Sequence, residues 1–201
     1  MRRFRPDLIP QPRLLSPFDF PGFGKPVDLE IGCGVGMHSI RYAETHPNRT
    51  LIAVEHTQER FSKFYRRFLS HGSPSNLLPV HANAMSFVAH HIPPDSIARI
   101  FFFYPNPPKS KGDIWYERPF FDFLLTRLQS DGMIRWVSNL ETYGPEMDKW
   151  VRGRSDLEWL CCREVADIPS AVIRPRTHFE RKYLERQERC WDRVLMKSER
   201  K

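Results

Sequence analysis

The sequence is poor in cysteine: four among 201 residues, at Cys33, Cys161, Cys162 and Cys190, with no C-x-x-C spacing. A disulfide framework needs regularly spaced pairs and a structural zinc site needs clustered thiolates, so neither is indicated and the four read as reduced thiols. The eight histidines show no H-E-x-x-H or comparable ligand spacing, so no metal site is expected. No apolar run approaches the ~18 residues that a membrane-spanning helix requires, which speaks against a membrane role. The opening segment is basic, but prolines interrupt any apolar core, so a cleaved secretory signal is not expected. Internal repeats and low-complexity linkers are missing as well. What remains is the profile of one ordinary globular domain, expected in the cytoplasm.

Positive charge is present in excess. Lys and Arg number 31 against 24 Asp and Glu, a formal net charge of +7. Such a balance suits a polyanionic partner, whose phosphates release counterions to the basic side chains, and it equally suits a merely solvated surface. Residues 1–25 are rich in Pro and Arg without periodicity and read as an irregular arm, leaving residues 26–201 as a single domain. Within it, strand signals fall on PVDLEIG, RTLIAVE, NLLPVHA, ARIFFFY, MIRWVSN, LEWLCCREV and a segment from Cys190 to Met196. Helical signals lie between them: residues 35–46, TQERFSKFYRRFLSHG, MSFVAHHI, YERPFFDFLLTRLQSDG and TYGPEMDKWVRG. Phe61, Phe64, Tyr65 and Phe68 recur at helical spacing and are assigned to the core. Strands alternating with helices predict right-handed crossovers, a mainly parallel sheet with helices on both faces, and an α/β fold. Ligands of such sheets sit outside the carboxyl ends of the strands, which is where functional residues are to be sought.

After the first strand comes DLEIGCGVGMHS, in which Gly32, Gly34 and Gly36 form G-x-G-x-G. Met37 stands where the dinucleotide fingerprint would need its last glycine. Glycines let the backbone turn sharply and approach a ligand, with the amides of the next helix facing it. Alone, such a turn is a weak signal. Its context is stronger: Glu30 precedes it, Glu55 and His56 end the second strand, and Asn83 and Ala84 follow the third. A carboxylate at Glu55 is placed to accept from ribose hydroxyls, and an adenine could lie by Asn83 and Ala84. The combination looks like the nucleoside-binding turn of S-adenosylmethionine-dependent methyltransferases.

The fourth strand runs into FFFYPNPPKSK, where Phe102, Phe103, Tyr104, Pro105, Asn106 and Pro107 precede Lys109 and Lys111. The fifth ends in Ser138 and Asn139, followed by Tyr143, Glu146 and Met147. Near the C-terminus, RPRTHFERK presents Thr177, Phe179 and Glu180 behind Arg174 and Arg176. In this order the three elements resemble those of the tRNA (guanine-N7)-methyltransferase family, over nearly the whole chain from Val27 to Lys197. The resemblance implies a Rossmann-like class I methyltransferase fold with a seven-stranded sheet, S-adenosylmethionine as cofactor and tRNA as partner. It further implies that Asn106 lies where cofactor and substrate meet, and that Lys109, Lys111, Asn139, Thr177, Phe179 and Glu180 serve the substrate. Glu180 and Asn106 are the candidates for fixing guanine and assisting transfer. Family members carry aspartate where this chain has Asn106 and Asn139, and His or Trp where it has Pro108. The lysine after the motif is also displaced by about one position.

Asn106-Pro107-Pro108 is similar, too, to the N-P-P motif of methyltransferases that modify exocyclic amino groups. There, however, an aromatic residue follows where this chain has Lys109. A third alternative is a catalytically weakened relative that binds cofactor or RNA without turnover. Lys109, Lys111, Arg118, Arg174, Arg176, Arg181 and Lys182 could line a phosphate-binding rim, with Trp115 and Tyr116 supplying aromatic faces.

Overall fold

The computed structural model describes residues 3–198 apart from 23, 108, 111, 112 and 168–173. Its centre is a seven-stranded sheet built from β1 (Val27–Ile31), β2 (Thr50–Glu55), β3 (Leu77–His81), β4 (Ile97–Phe103), β5 (Leu128–Ser138), β6 (Leu157–Glu164) and β7 (Trp191–Lys197). The spatial order is β3-β2-β1-β4-β5-β7-β6. The first five strands pair in parallel, and β7 runs antiparallel to both β5 and β6. Among the described residues six α-helices complete the fold: α1 (Met37–Thr45), α2 (Gln58–Ser70), α3 (Ala84–His91), α4 (Pro119–Leu125), α5 (Pro145–Val151) and α6 (His178–Glu185).

Two apolar clusters explain why the strands read as hydrophobic runs: both faces of the sheet are covered. On one face Leu29, Val54, Phe102 and Trp136 pack with Phe87 of α3, Phe121 of α4 and Met147 of α5. On the other, Ala53, Phe101, Phe103 and Val137 pack with Ile40 of α1, Phe64 of α2 and the partly buried Leu184 of α6. Pro79 is tolerated because β3 is an edge strand. Phe61 and Phe64 are buried and Phe68 packs against them, but Tyr65 is 45% exposed and leaves the assigned core.

Two further expectations are corrected. The helix anticipated to close on Asp131-Gly132 stops at Leu125, and β5 begins at Leu128. Leu128 is fully buried opposite Ile97, and the register slips before Met133 pairs with Arg99, with Asp131 at φ 58°. Asp-Gly thus makes a bulge in a strand, a use of αL residues that resembles a helix stop in sequence. Conversely, α6 forms in a basic tail expected to hold only a last strand. Its start is a T-x-x-E capping pattern: the Thr177 hydroxyl accepts from the Glu180 amide at 3.0 Å.

The N-terminal arm follows the α3–α4 side. Phe4 contacts Phe120 and Phe123, Phe18 sits edge-on to Phe87, and the Ile9 and Pro10 carbonyls accept from His90 and Ser86. Among the described residues no helix is long and apolar enough to cross a membrane, and no cluster of three or more His, Cys, Asp or Glu is placed to hold a metal ion.

Candidate active site

The carboxyl ends of β1 to β4 open into a cavity of about 420 Å³, closed on one side by the start of α6. The glycine turn forms its floor. Gly32, Gly34 and Gly36 all have positive φ, between 61° and 76°, a region only glycine enters without strain. A Cβ at Gly32 or Gly34 would meet nothing within 4 Å, whereas one at Gly36 would stand 1.9 Å from Phe64 Cδ2. Gly36 therefore serves the packing of α1 on α2 and does not line the cavity. The first two glycines leave an open cradle.

Carboxylates hold that cradle in shape. Glu55 Oε2 accepts from the Gly34 amide at 2.9 Å and Oε1 from the Thr57 amide at 2.7 Å. Glu30, 1% exposed, accepts from the Ser39 hydroxyl at 2.6 Å and pairs with His38 Nδ1 at 3.0 Å. A carboxylate carries about four acceptor sites, so both can take further donors from a ligand. His56 is exposed at the rim, and its carbonyl bonds the His81 ring at 3.1 Å. Asn83 caps α3, its Oδ1 accepting from the Met85 and Ser86 amides at 3.0 and 3.3 Å, with Ala84 beside it in the wall.

At the end of β4, Tyr104 takes φ 50°, an uncommon and costly conformation for an aromatic residue. The turn carries Pro105 and Asn106 into the cavity wall. The Tyr104 side chain is buried below, its hydroxyl donating to Glu180 at 3.4 Å. Burial, and then the Glu180 charge, push that phenol far above its ordinary range. Thr177, His178 and Phe179 complete the wall, and the Arg60 guanidinium lies 5.8 Å from the centre of the Phe179 ring, linking α2 to α6 across the opening.

Not every expected site residue reaches the cavity. Glu180 is fully buried, gripped by the Arg176 guanidinium and backbone amide, so the expectation that it faces guanine is corrected: its oxygens already hold α6 in place. Asn139 donates to Glu188 at 2.9 Å and is no part of the wall. Lys109 is exposed and likewise off the wall, and Lys111 lies outside the described residues. Arg60, Met85 and His178 belong to the wall without having carried any site signal in the sequence. Trp115 and Arg118, read only as rim candidates, also line it, and the buried Arg118 Nε has no hydrogen-bond partner among the described residues.

Open cradle and anchored carboxylates together fit a nucleoside-bearing cofactor. With the parallel sheet and its antiparallel β7, they define a class I S-adenosylmethionine-dependent methyltransferase. Residues 24–193 match the family model described as putative methyltransferase, and the chain belongs to that family. S-adenosylmethionine is accordingly its cofactor. The tRNA (guanine-N(7)-)-methyltransferase of Chlorobium phaeobacteroides is 26% identical over 180 residues, covering 87% of this chain and 82% of the relative. The enzyme of the same name from Bordetella pertussis is 28% identical, covering 88% and 70%. Among solved structures, the 16S rRNA methyltransferase KamB superposes with a TM-score of 0.66 at 17% identity, covering 87% of this chain and 89% of its own, which speaks for the fold.

Proposed function

We propose that this protein transfers a methyl group from S-adenosylmethionine to N7 of a guanine in tRNA, and that it does so in the cytoplasm. The observation that carries the reading is Asn106, held by the strained turn at Tyr104 where a cofactor cradle meets the α6 wall. The relatives' name, over more than four-fifths of this chain, supports the same substrate. Residues 26–201 act as one catalytic domain with the arm as a strap.

When bound, the cofactor supplies an electrophilic methyl group on a sulfonium. Gly32 and Gly34 admit its backbone-facing part, Glu30 and Glu55 accept from its polar hydrogens, and His56, Asn83 and Ala84 flank the base. Guanine N7 carries an in-plane lone pair and needs no deprotonation before attack, so the protein's task is chiefly positioning. Asn106 offers a carbonyl acceptor and an amide donor at that junction but no negative charge. Phe179 supplies a flat apolar face, Thr177 fixes the helix that presents it, and Lys109 with Lys111 meets the RNA backbone. Glu180 acts at one remove, by anchoring α6 through Arg176.

The test is incubation of labelled cofactor with unmodified tRNA, followed by nucleoside analysis. Labelled 7-methylguanosine is the expected product. Label in adenine or cytosine would replace the reading with amino-group methylation of the N-P-P type, and cofactor binding without transfer would replace it with a non-catalytic role.

A further inference from the structure

A second cavity, about 290 Å³, lies behind the first, and Phe103 belongs to both walls. It sits on the α1 face of the sheet, over β4, β5 and β7. The wall carries four guanidiniums, from Arg41, Arg99, Arg135 and Arg176, with two imidazoles and no carboxylate. Adjacent strands turn charge toward this face: Arg99 lies on β4, Arg135 on β5 and Asp192 on β7, positions that a packed helix would have required to be apolar.

The charges behind the wall do not balance those in it. Asp192, fully buried, accepts from two Arg135 nitrogens, Nε and Nη2, and from Arg163 and Arg176 as well. Asp28 faces Arg99 in register, yet its carboxylate is engaged by both arms of Arg49 and by the Tyr42 hydroxyl. Among the described residues Arg99 bonds only that Tyr42 oxygen, at 3.2 Å, and Arg41 only the carbonyls of Arg174 and Pro175. Among the described residues, therefore, neither guanidinium is paired directly with a carboxylate. Beside them Phe101, Met133 and Val194 make an apolar floor, and the stacked Tyr42 and His46 rings, 4.0 Å apart, form a flat side.

The geometry points to a binding site for a 5′-phosphorylated nucleotide unit, phosphate on Arg41 and Arg99, base and sugar on the apolar floor. Guanidiniums match phosphate oxygens in pairs, and a cavity near the lower end of the small-ligand range admits one nucleotide and excludes a duplex. The unit is either a free mononucleotide or the phosphorylated end of an RNA. This inference is independent of the reaction at the first cavity.

Isothermal titration of the full chain, with S-adenosylmethionine saturating so that the first cavity is filled, tests it. UMP and pyrophosphate are expected to bind with a Kd of about 0.1–1 mM, and uridine at least ~10-fold more weakly. Arg41→Gln and, separately, Arg99→Gln should each weaken UMP about tenfold or more, with thermal unfolding showing that the variants fold. Arg41 bonds only backbone carbonyls whereas Arg99 bonds the buried Tyr42 hydroxyl, so the Arg41 variant guards against misfolding of the Arg99 one. A 5′-phosphorylated trinucleotide binding more tightly than UMP would identify an RNA end, and the reverse a free nucleotide. No binding of UMP or pyrophosphate by about 10 mM, or equal affinity in wild type and variants, would overturn the site.

Discussion

The two halves of the sheet treat their charges differently. On the β1–β2 side, Glu30 and Glu55 are anchored by short local bonds from the glycine turn and α1, and both still face the cofactor cavity. On the β4–β5–β7 side, Glu180 and Asp192 are fully buried and spent on arginines, while the exposed positions hold Asn106 and Lys109. The first half commits Asp28 to Arg49 but keeps two carboxylates at the cavity, whereas the second consumes both of its buried carboxylates in scaffolding. Cofactor capture and acceptor handling are therefore expected to respond separately to substitution.

Removing a scaffold charge should have the largest effect. Asp192→Ala leaves Arg135, Arg163 and Arg176 without their shared acceptor, and breaking a buried pair costs about 3–5 kcal/mol. Denaturant unfolding should show that loss. A change under about 1 kcal/mol would mean that the cluster is not the brace of this half. Burial alone would raise the Asp192 carboxyl, but Arg135 and Arg176 outweigh it and lower the value. Its stabilisation is thus present above the ordinary carboxylate range and fades as pH falls through the lowered folded value.

The ligand-facing half should respond in affinity more than in stability. Glu55→Gln keeps one acceptor but loses charge-assisted bonds to the Gly34 and Thr57 amides, and should weaken S-adenosylmethionine by roughly 10- to 100-fold in calorimetry. Unchanged affinity would remove Glu55 from the cofactor site.

The smallest effect is expected at His178, on the boundary between the halves. Burial, and then the nearby charges of Arg67 and Arg181, hold its imidazole below the ordinary value. Stability tied to this group is present above the ordinary histidine pKa of ~6.5 and declines on acidification through the lowered folded value. An NMR titration should give a midpoint under ~6.5 that rises in Arg181→Gln.

The same division governs what could be read from the sequence. The strand segments, the glycine turn and Glu55 were legible because they are local: a short apolar run, one contiguous turn and one strand end each show in a few residues. Gly36 was read as a ligand residue because pattern alone does not register that Phe64, 28 positions on, fills the space above it. The wall residues Arg60 and His178 come together only through folding, so no spacing announces them. The T-x-F-E element was legible as a motif, but its glutamate serves a helix start, because Arg176 lies close enough to take it. Tyr104 gave no sign of its positive φ, since an aromatic residue before proline ordinarily reads as extended chain.

Asn106 stands in the cavity wall between the two halves, and its substitution tests what the acceptor half does. Single-turnover formation of 7-methylguanosine on tRNA, followed for wild type beside Asn106→Asp, measures that contribution. The wild-type chain should form the product, and the aspartate variant should form it faster by about 10- to 100-fold, as expected for a preorganised charge at the reacting centre. A wild-type chain that forms none, or an aspartate variant no faster than it, would contradict the placing of Asn106 where cofactor and guanine meet.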